Sequence, residues 1–187
     1  MLFMLLMAGL FGFAYFLAFQ GEKVVARVPP KGSNVPNLKN FLAVGLSSGK
    51  DLTITEEQIN GYLAATLVAK QGGPLAGKAS IERVLIKLED GEFHLIIERK
   101  LFGRQHTVSL NFAASREGVG KAALWNLQIS SGRVGKLPVA GGLLKLVLAP
   151  ARQIASIYPS ELKILQHASS LRIENGRLLL GPVVVNQ

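Results

Sequence analysis

The first residues that could do chemistry are two serines in a glycine-rich stretch. Residues 45–49 read Gly-Leu-Ser-Ser-Gly and fit G-x-S-x-G, which holds a nucleophile on a strand-to-helix turn in α/β-hydrolases. The segment that follows reads as extended rather than helical, and no β-α-β alternation appears. Ser47 also precedes Lys50 at S-x-x-K spacing, but neither S-D-N nor K-T-G follows. Both matches therefore indicate a glycine and serine turn.

Three histidines could act in acid–base or metal chemistry: His94, His106 and His167. A hairpin turn at residues 102–103 places His94 opposite Asn111 and His106 opposite Arg99, which keeps these imidazoles several residues apart. No H-E-x-x-H motif occurs, and the chain has no cysteine, which excludes thiolate chemistry. Glu56, Glu57 and Glu161 are explained as acids near helix N-termini. We therefore predict no enzyme, no metal and no cofactor.

Basic residues gather at two predicted turns: Arg99, Lys100 and Arg104 at one, and Arg133 and Lys136 at the other. Residues 132–136 read Gly-Arg-Val-Gly-Lys, but the spacing of a phosphate loop fails, and Leu137 stands where its hydroxyl residue belongs. Two interpretations remain, solvated turns or contact with an anionic membrane or polymer. No aromatic residues interleave with the charges, so we expect no nucleic-acid partner.

The composition also favours anionic neighbours. The chain has 187 residues, a formal net charge of +9 and 49% hydrophobic residues. Its first 20 residues carry no charge, so the whole excess lies on the remainder, which is long enough for one domain with a single core.

The N-terminal segment is predicted to be a transmembrane anchor over residues 1–20. Residues 1–19 contain no charge and no proline, and at ~1.5 Å per residue a helix of this length nearly spans a hydrocarbon core of ~30 Å. It has no polar face, which disfavours a buried core helix. No basic residue precedes the apolar run and no small-x-small site follows it cleanly, so we prefer an uncleaved anchor to a signal peptide.

The orientation of the anchor is left open by the charges. Lys23, Arg27, Lys31 and Lys39 follow the apolar segment, and the positive-inside rule then favours a cytoplasmic domain. Residues 21–40, rich in proline, glycine and asparagine, are predicted to be a linker, and residues 41–187 an α+β domain.

The domain is predicted to be an antiparallel β-meander packed on one face by two helices. Residues 55–58, Thr-Glu-Glu-Gln, form a capping box that starts one helix, and residues 143–157, interrupted by Pro150, form the other. Between them, four stretches alternate apolar and polar residues, with the first turn at Asp90-Gly91. Asn175-Gly176 predicts a final hairpin. We expect one packed and one solvated sheet face.

The apolar sheet face contains a candidate site for a lipid or other apolar ligand, formed by Phe93, Leu95, Trp125 and Leu127. Residues of these types at this spacing are also typical of an ordinary core.

Two stretches carry a family resemblance. Residues 52–63, Leu-Thr-Ile-Thr-Glu-Glu-Gln-Ile-Asn-Gly-Tyr-Leu, resemble the T-x-x-Q-[IL]-N-x-[YF]-[IL] helix opening of YpmS-like bacterial membrane-anchored proteins. Residues 135–139 resemble their G-[KN]-L-P-[IV] segment. Residues 140–142, Ala-Gly-Gly, depart from the family where a second proline often stands. A more distant likeness is to BPI-like tubular lipid-binding domains.

The resemblance implies an extracytoplasmic domain in a bacterial or periplasmic envelope, with an apolar groove and no catalytic residues to transfer. We therefore expect a single-pass, membrane-anchored, non-catalytic envelope protein that binds a lipid or apolar ligand. The alternative is a scaffold that meets a protein partner in a membrane or envelope assembly.

Overall fold

The computed structural model describes residues 2–21, 25–30, 33, 36–70, 79–101, 103–117, 124–139 and 141–182. Parts of the predicted linker and the loop between the third and fourth predicted strands lie outside these residues. The fold is α+β with two antiparallel sheets, as predicted at that level.

The larger sheet is a five-stranded antiparallel meander. Its strands, in spatial and chain order, are β2 (Ala79–Glu89), β3 (Glu92–Leu101), β4 (Arg104–Glu117), β5 (Leu124–Val134) and β6 (Leu137–Val139). The prediction of four strands is thus one short. The sequence signal for β6 is weak because the strand has three residues and contains Pro138, which only an edge strand tolerates.

A smaller sheet pairs β1 (Leu52–Thr55) with β8 (Arg177–Leu180), and β8 with β7 (Leu171–Glu174). The predicted hairpin at Asn175-Gly176 is confirmed, with Gly176 at a φ of +77°. β1 opposes β8 across the chain, with Ile54 beside Leu178.

The described part of the chain contains five α-helices: α1 (Leu2–Phe19), α2 (Leu38–Ser47), α3 (Glu56–Lys70), α4 (Leu144–Ile157) and α5 (Pro159–Gln166). α3 and α4 are the two predicted helices, and Pro150 lies inside α4. The capping box of α3 is confirmed, because the Gln58 amide donates to Thr55 Oγ1 and the Thr55 amide to Gln58 Oε1, at 3.3 and 2.9 Å.

The domain begins earlier than predicted. Leu38 and Leu42 of α2 are buried in the core, so the predicted boundary between residues 40 and 41 falls within a helix. Asn37 caps this helix by accepting from the Asn40 amide at 3.3 Å. The linker prediction missed it because the capping asparagine follows a run of proline, glycine and asparagine.

The core lies between one face of the larger sheet and a cover made by α2, α3, α4 and the smaller sheet. Its centre includes Ile97, Val108 and Leu110 of the sheet, which have no exposed surface. The opposite face was predicted to be solvated, but part of it is buried. Leu85 and Ile96 pair across β2 and β3 on that face, and Ile96 is 1% exposed.

The predicted anchor is helical, since α1 covers Leu2–Phe19. Within the described residues, no helix reaches both the length and the apolar character that crossing a membrane requires.

Candidate functional site

The five predicted anion-contact residues come together at one end of the larger sheet. Leu101 pairs with Arg104 across the β3–β4 turn, and Val134 pairs with both Leu137 and Val108, so the β3–β4 and β5–β6 turns point the same way. We call this region the basic end; it consists of Arg99, Lys100, Arg104, Arg133 and Lys136. Lys100, Arg104, Arg133 and Lys136 are exposed.

The C-terminus of α1 docks at the basic end. The backbone amide of Lys136 donates to the carbonyl oxygen of Leu17 at 3.0 Å, so the β5–β6 turn satisfies one of the carbonyl groups that a helix end leaves free. Gly135 has a φ of +55°, and a Cβ there would lie only 2.5–2.7 Å from three carbonyl oxygens of residues 17–20. Glycine is therefore required for both the turn and the close approach.

Aromatic contacts seal this junction. The rings of Phe19 and His106 have centroids 4.4 Å apart, and the Arg104 guanidinium lies 5.5 Å from the centroid of Phe19. Arg104 Nη1 also donates to the hydroxyl of Tyr15 at 2.8 Å. Arg104 thus connects two turns of α1 to the start of β4.

Burial sets the electrostatics of the same junction. Desolvation lowers the pKa of His106, and the charges of Arg99 and Arg104 lower it further. Burial also lowers the pKa of Arg99, and among the described residues no group accepts from its buried Nε. The basic end therefore combines a neutral histidine with an incompletely compensated guanidinium.

The four predicted ligand residues share the core face of the sheet, as the strand register shows. Phe93 stacks on Phe112 with centroids 4.8 Å apart, Leu95 is buried, and Trp125 Nε1 donates to the Ala168 carbonyl at 3.0 Å. Leu127 alone of the four is exposed, at 36%. Phe93 and Leu95 therefore pack in the core and Trp125 meets the turn after α5, while Leu127 lies at the surface.

The acidic residue Glu56 does more than start α3. It is 2% exposed, and its carboxylate accepts from the backbone amides of Arg27 and Leu88 at 2.6 and 2.9 Å. One turn later, the fully buried Asn60 accepts from the Ile86 amide and donates to the carbonyls of Ile86 and Arg27, at 2.7–2.8 Å. We call Glu56 and Asn60 the backbone clip. Sequence reasoning missed it, although Asn60 belongs to the quoted motif.

The acidic residue Glu161 likewise has a specific buried partner. Its Oε1 accepts from the Tyr62 hydroxyl at 2.6 Å, and burial followed by this contact raises the pKa of Tyr62. The Tyr158 hydroxyl lies 3.0 Å from Thr66 Oγ1, and burial raises the pKa of Tyr158. Both phenols are protonated at neutral pH, so the cluster fastens α5 to α3.

The other chemical candidates are placed apart. Ser47 ends α2, and Ser48 Oγ donates to the Gly45 carbonyl at 2.6 Å, so neither serine stands on a strand-to-helix turn. The predicted register is confirmed, since His94 opposes Asn111 and His106 opposes Arg99. The His167 ring hydrogen-bonds to the Lys163 carbonyl of its own helix. Over the described ranges, no group of three His, Asp or Glu side chains could hold a metal ion.

Comparison with known proteins adds no assignment: no protein-family model and no curated protein sequence matches the chain.

Proposed function

We propose that this chain is a non-catalytic membrane protein whose domain is held by α1 with its basic end against anionic lipid headgroups. The main support for this function is the docking of the α1 C-terminus on the β5–β6 turn, in the middle of the basic end.

The exposed surface of α1 supports insertion into lipid. Four of the eight exposed large hydrophobic residues of the described chain lie on this helix: Met7, Phe13, Tyr15 and Phe16. Phe13 is 61% exposed, although the segment carries no charge. Exposed apolar side chains of this kind are typical of a membrane or protein contact. Its 18 residues make ~27 Å of helix, so α1 is long enough to reach deep into a hydrocarbon core of ~30 Å.

The docked end supports a particular orientation of the domain at the headgroups. If the apolar part of α1 lies in hydrocarbon, its last turn lies at the interface, where Tyr15 and Arg104 form a pair suited to that layer. The exposed Lys100, Arg133 and Lys136 then face the lipid surface, where each basic residue contributes about 1 kcal/mol of attraction to anionic lipid. A lipid headgroup is therefore a better-supported partner than an apolar ligand on the sheet.

The resemblance to YpmS-like proteins favours the extracytoplasmic side of the membrane for this domain. The basic residues after α1 favour the cytoplasmic side, and headgroup contact is compatible with either.

The test is amide hydrogen exchange of the full chain in nanodiscs of zwitterionic lipid, with or without anionic lipid. We expect anionic lipid to slow exchange at the β3–β4 and β5–β6 turns and to leave the Asn175-Gly176 hairpin unchanged. A triple variant, Lys100→Gln, Arg133→Gln and Lys136→Gln, should lose this difference.

A charge-matched control makes the comparison specific. Lys39, Arg152 and Lys163 are exposed and lie outside the basic end, so replacing all three by glutamine removes the same charge. This control should keep the protection. Equal exchange in both lipids for the unmodified chain would contradict headgroup contact.

A further inference from the structure

A second concave region lies at the opposite end of the larger sheet. There the β2–β3 turn meets the β7–β8 hairpin: the Gly91 amide donates to the Ile173 carbonyl at 3.0 Å, and the Asn175 amide to Asp90 Oδ1 at 2.9 Å. With Arg27 of the linker, these turns border an open depression with a volume of about 700 Å³. We call it the far-end pocket.

Its lining is biased towards anion binding. Three arginines line it, Arg27, Arg172 and Arg177, against two carboxylates, Asp90 and Glu174. Both carboxylates are engaged, Asp90 with the Asn175 amide and Glu174 with Arg172 Nε at 3.3 Å. Among the described residues, the guanidinium groups of Arg27 and Arg177 have no hydrogen-bond or ion-pair partner. Two guanidinium groups are thus left for a ligand.

The main chain of Arg27 is held in place before any ligand arrives, whereas its side chain can still adjust to a ligand. The backbone clip fixes its main chain, since Glu56 accepts from its amide at 2.6 Å and Asn60 donates to its carbonyl at 2.8 Å. Its guanidinium lies over Gly176, where a Cβ would stand 2.5 Å from Nη1. Pre-organisation of this kind lowers the entropy lost on binding.

We infer that the far-end pocket binds the phosphate group of a small solute. Guanidinium groups recognise phosphate through paired, charge-assisted hydrogen bonds. The pocket volume lies within the range of ligand sites and exceeds the size of phosphate alone, so the group is carried on a larger molecule.

The source of the phosphate follows from the position of the pocket, and this step rests on the proposed headgroup contact of the basic end. The 10 residues of β3 extend roughly 33 Å between the two ends. Headgroups that contact the basic end are therefore out of reach of the far-end pocket. The ligand is a free, water-soluble phosphorylated solute rather than a lipid of the same bilayer.

Calorimetric titration of the full chain in detergent micelles with glycerol 3-phosphate tests the site. We expect saturable binding that weakens about tenfold in Arg27→Gln and in Arg177→Gln. Arg152→Gln, which removes an exposed arginine of α4, should bind like the unmodified chain. Unchanged melting temperatures would show that the variants remain folded.

Two results would overturn the site: no saturable heat up to about 10 mM glycerol 3-phosphate, or equal weakening in Arg152→Gln. A second arm replaces the solute by vesicles containing phosphatidic acid. Binding that occurs only to vesicles and depends on Arg27 would overturn the assignment to a free solute. Failure of the headgroup test with intact binding of glycerol 3-phosphate would leave the site and remove only the argument about its source.

Discussion

The two ends of the larger sheet use a similar device for different contacts. At the basic end, Gly135 with a φ of +55° makes room for the carbonyl oxygens that end α1. At the far end, Gly176 with a φ of +77° makes room for the guanidinium of Arg27. In the first case the neighbour is rigid backbone, and in the second it is the tip of a flexible side chain. The basic end is therefore built for docking and the far end for recognition.

The cations at the two ends differ in the same sense. At the basic end, Arg99 is partly buried, and Arg104, although exposed, is held by contacts with Tyr15 and Phe19 of α1. Arg27 and Arg177 at the far end are exposed. Burial of a charge in a junction favours fixed geometry, whereas an exposed pair can exchange water for a ligand.

The largest effect is expected from Asn60→Ala, which breaks the backbone clip. It leaves both polar groups of Ile86 and the carbonyl of Arg27 without their partner, at a cost of about 3 kcal/mol in the free energy of unfolding. Denaturant unfolding measures this loss. Asn40→Ala, at an exposed position, should change stability by less than ~0.5 kcal/mol. Equal losses would show that the clip contributes nothing specific.

Gly135→Ala should cost about 2–3 kcal/mol, because it adds a methyl group against backbone oxygens at a positive φ. Hydrogen exchange should increase at the end of α1 and not at the far end. The matched change Gly176→Ala should cost about 1 kcal/mol, since Arg27 can move aside. The contrast between the ends fails if the far-end variant is the more destabilised.

Tyr62→Phe is expected to cost about 1–2 kcal/mol, because buried Glu161 loses a hydrogen-bond donor. The raised pKa of Tyr62 also means that the folded state keeps this proton where the unfolded state loses it. Its contribution to stability is therefore full below pH 10 and declines above it. Tyr62→Phe should flatten that decline in the unfolding free energy. Neither end should change its exchange, since neither residue belongs to the basic end or lines the far-end pocket.

The smallest effect concerns His106. The pKa of His106 is lowered in the folded state, so near the ordinary histidine pKa the unfolded state binds more protons than the folded state. The free energy of unfolding therefore falls as the pH decreases from about 7 through the ordinary histidine pKa. His106→Gln should reduce the slope of unfolding free energy against pH. At pH 5, α1 should be held more firmly in this variant than in the unmodified chain. His167→Gln is the control, because His167 is exposed and its ring hydrogen-bonds within its own helix. An unchanged slope in His106→Gln would show that protonation of His106 does not weaken the junction.

Local patterns predicted the elements that local physics decides. The capping box located the start of α3, and alternation together with a turn at 102–103 gave the pairing of His94 with Asn111. The same meander places alternate turns at the same end, but the two basic turns were predicted only as separate turns, because β6, which forms the second one, was not recognised. The role of Phe93 and Trp125 was not, because sheet alternation identifies an apolar face without saying what covers it.

Long-range partners account for what the sequence did not reveal. Glu56 stands in the first turn of α3, as its position indicates, yet its partners are amides 29 and 32 residues away. The far-end pocket joins the linker, the β2–β3 turn and the last hairpin, and no spacing in the sequence brings these together.

We propose that the basic end faces the membrane and that the far end faces away from it. Because the chain has no cysteine, Lys136→Cys and Asn175→Cys each give one site for a spin label in the full chain in anionic nanodiscs. A paramagnetic chelate attached to lipid headgroups should strongly broaden the EPR spectrum of the label at residue 136. It should broaden the spectrum of the label at residue 175 only slightly. Equal broadening at both positions, or stronger broadening at residue 175, would contradict the account.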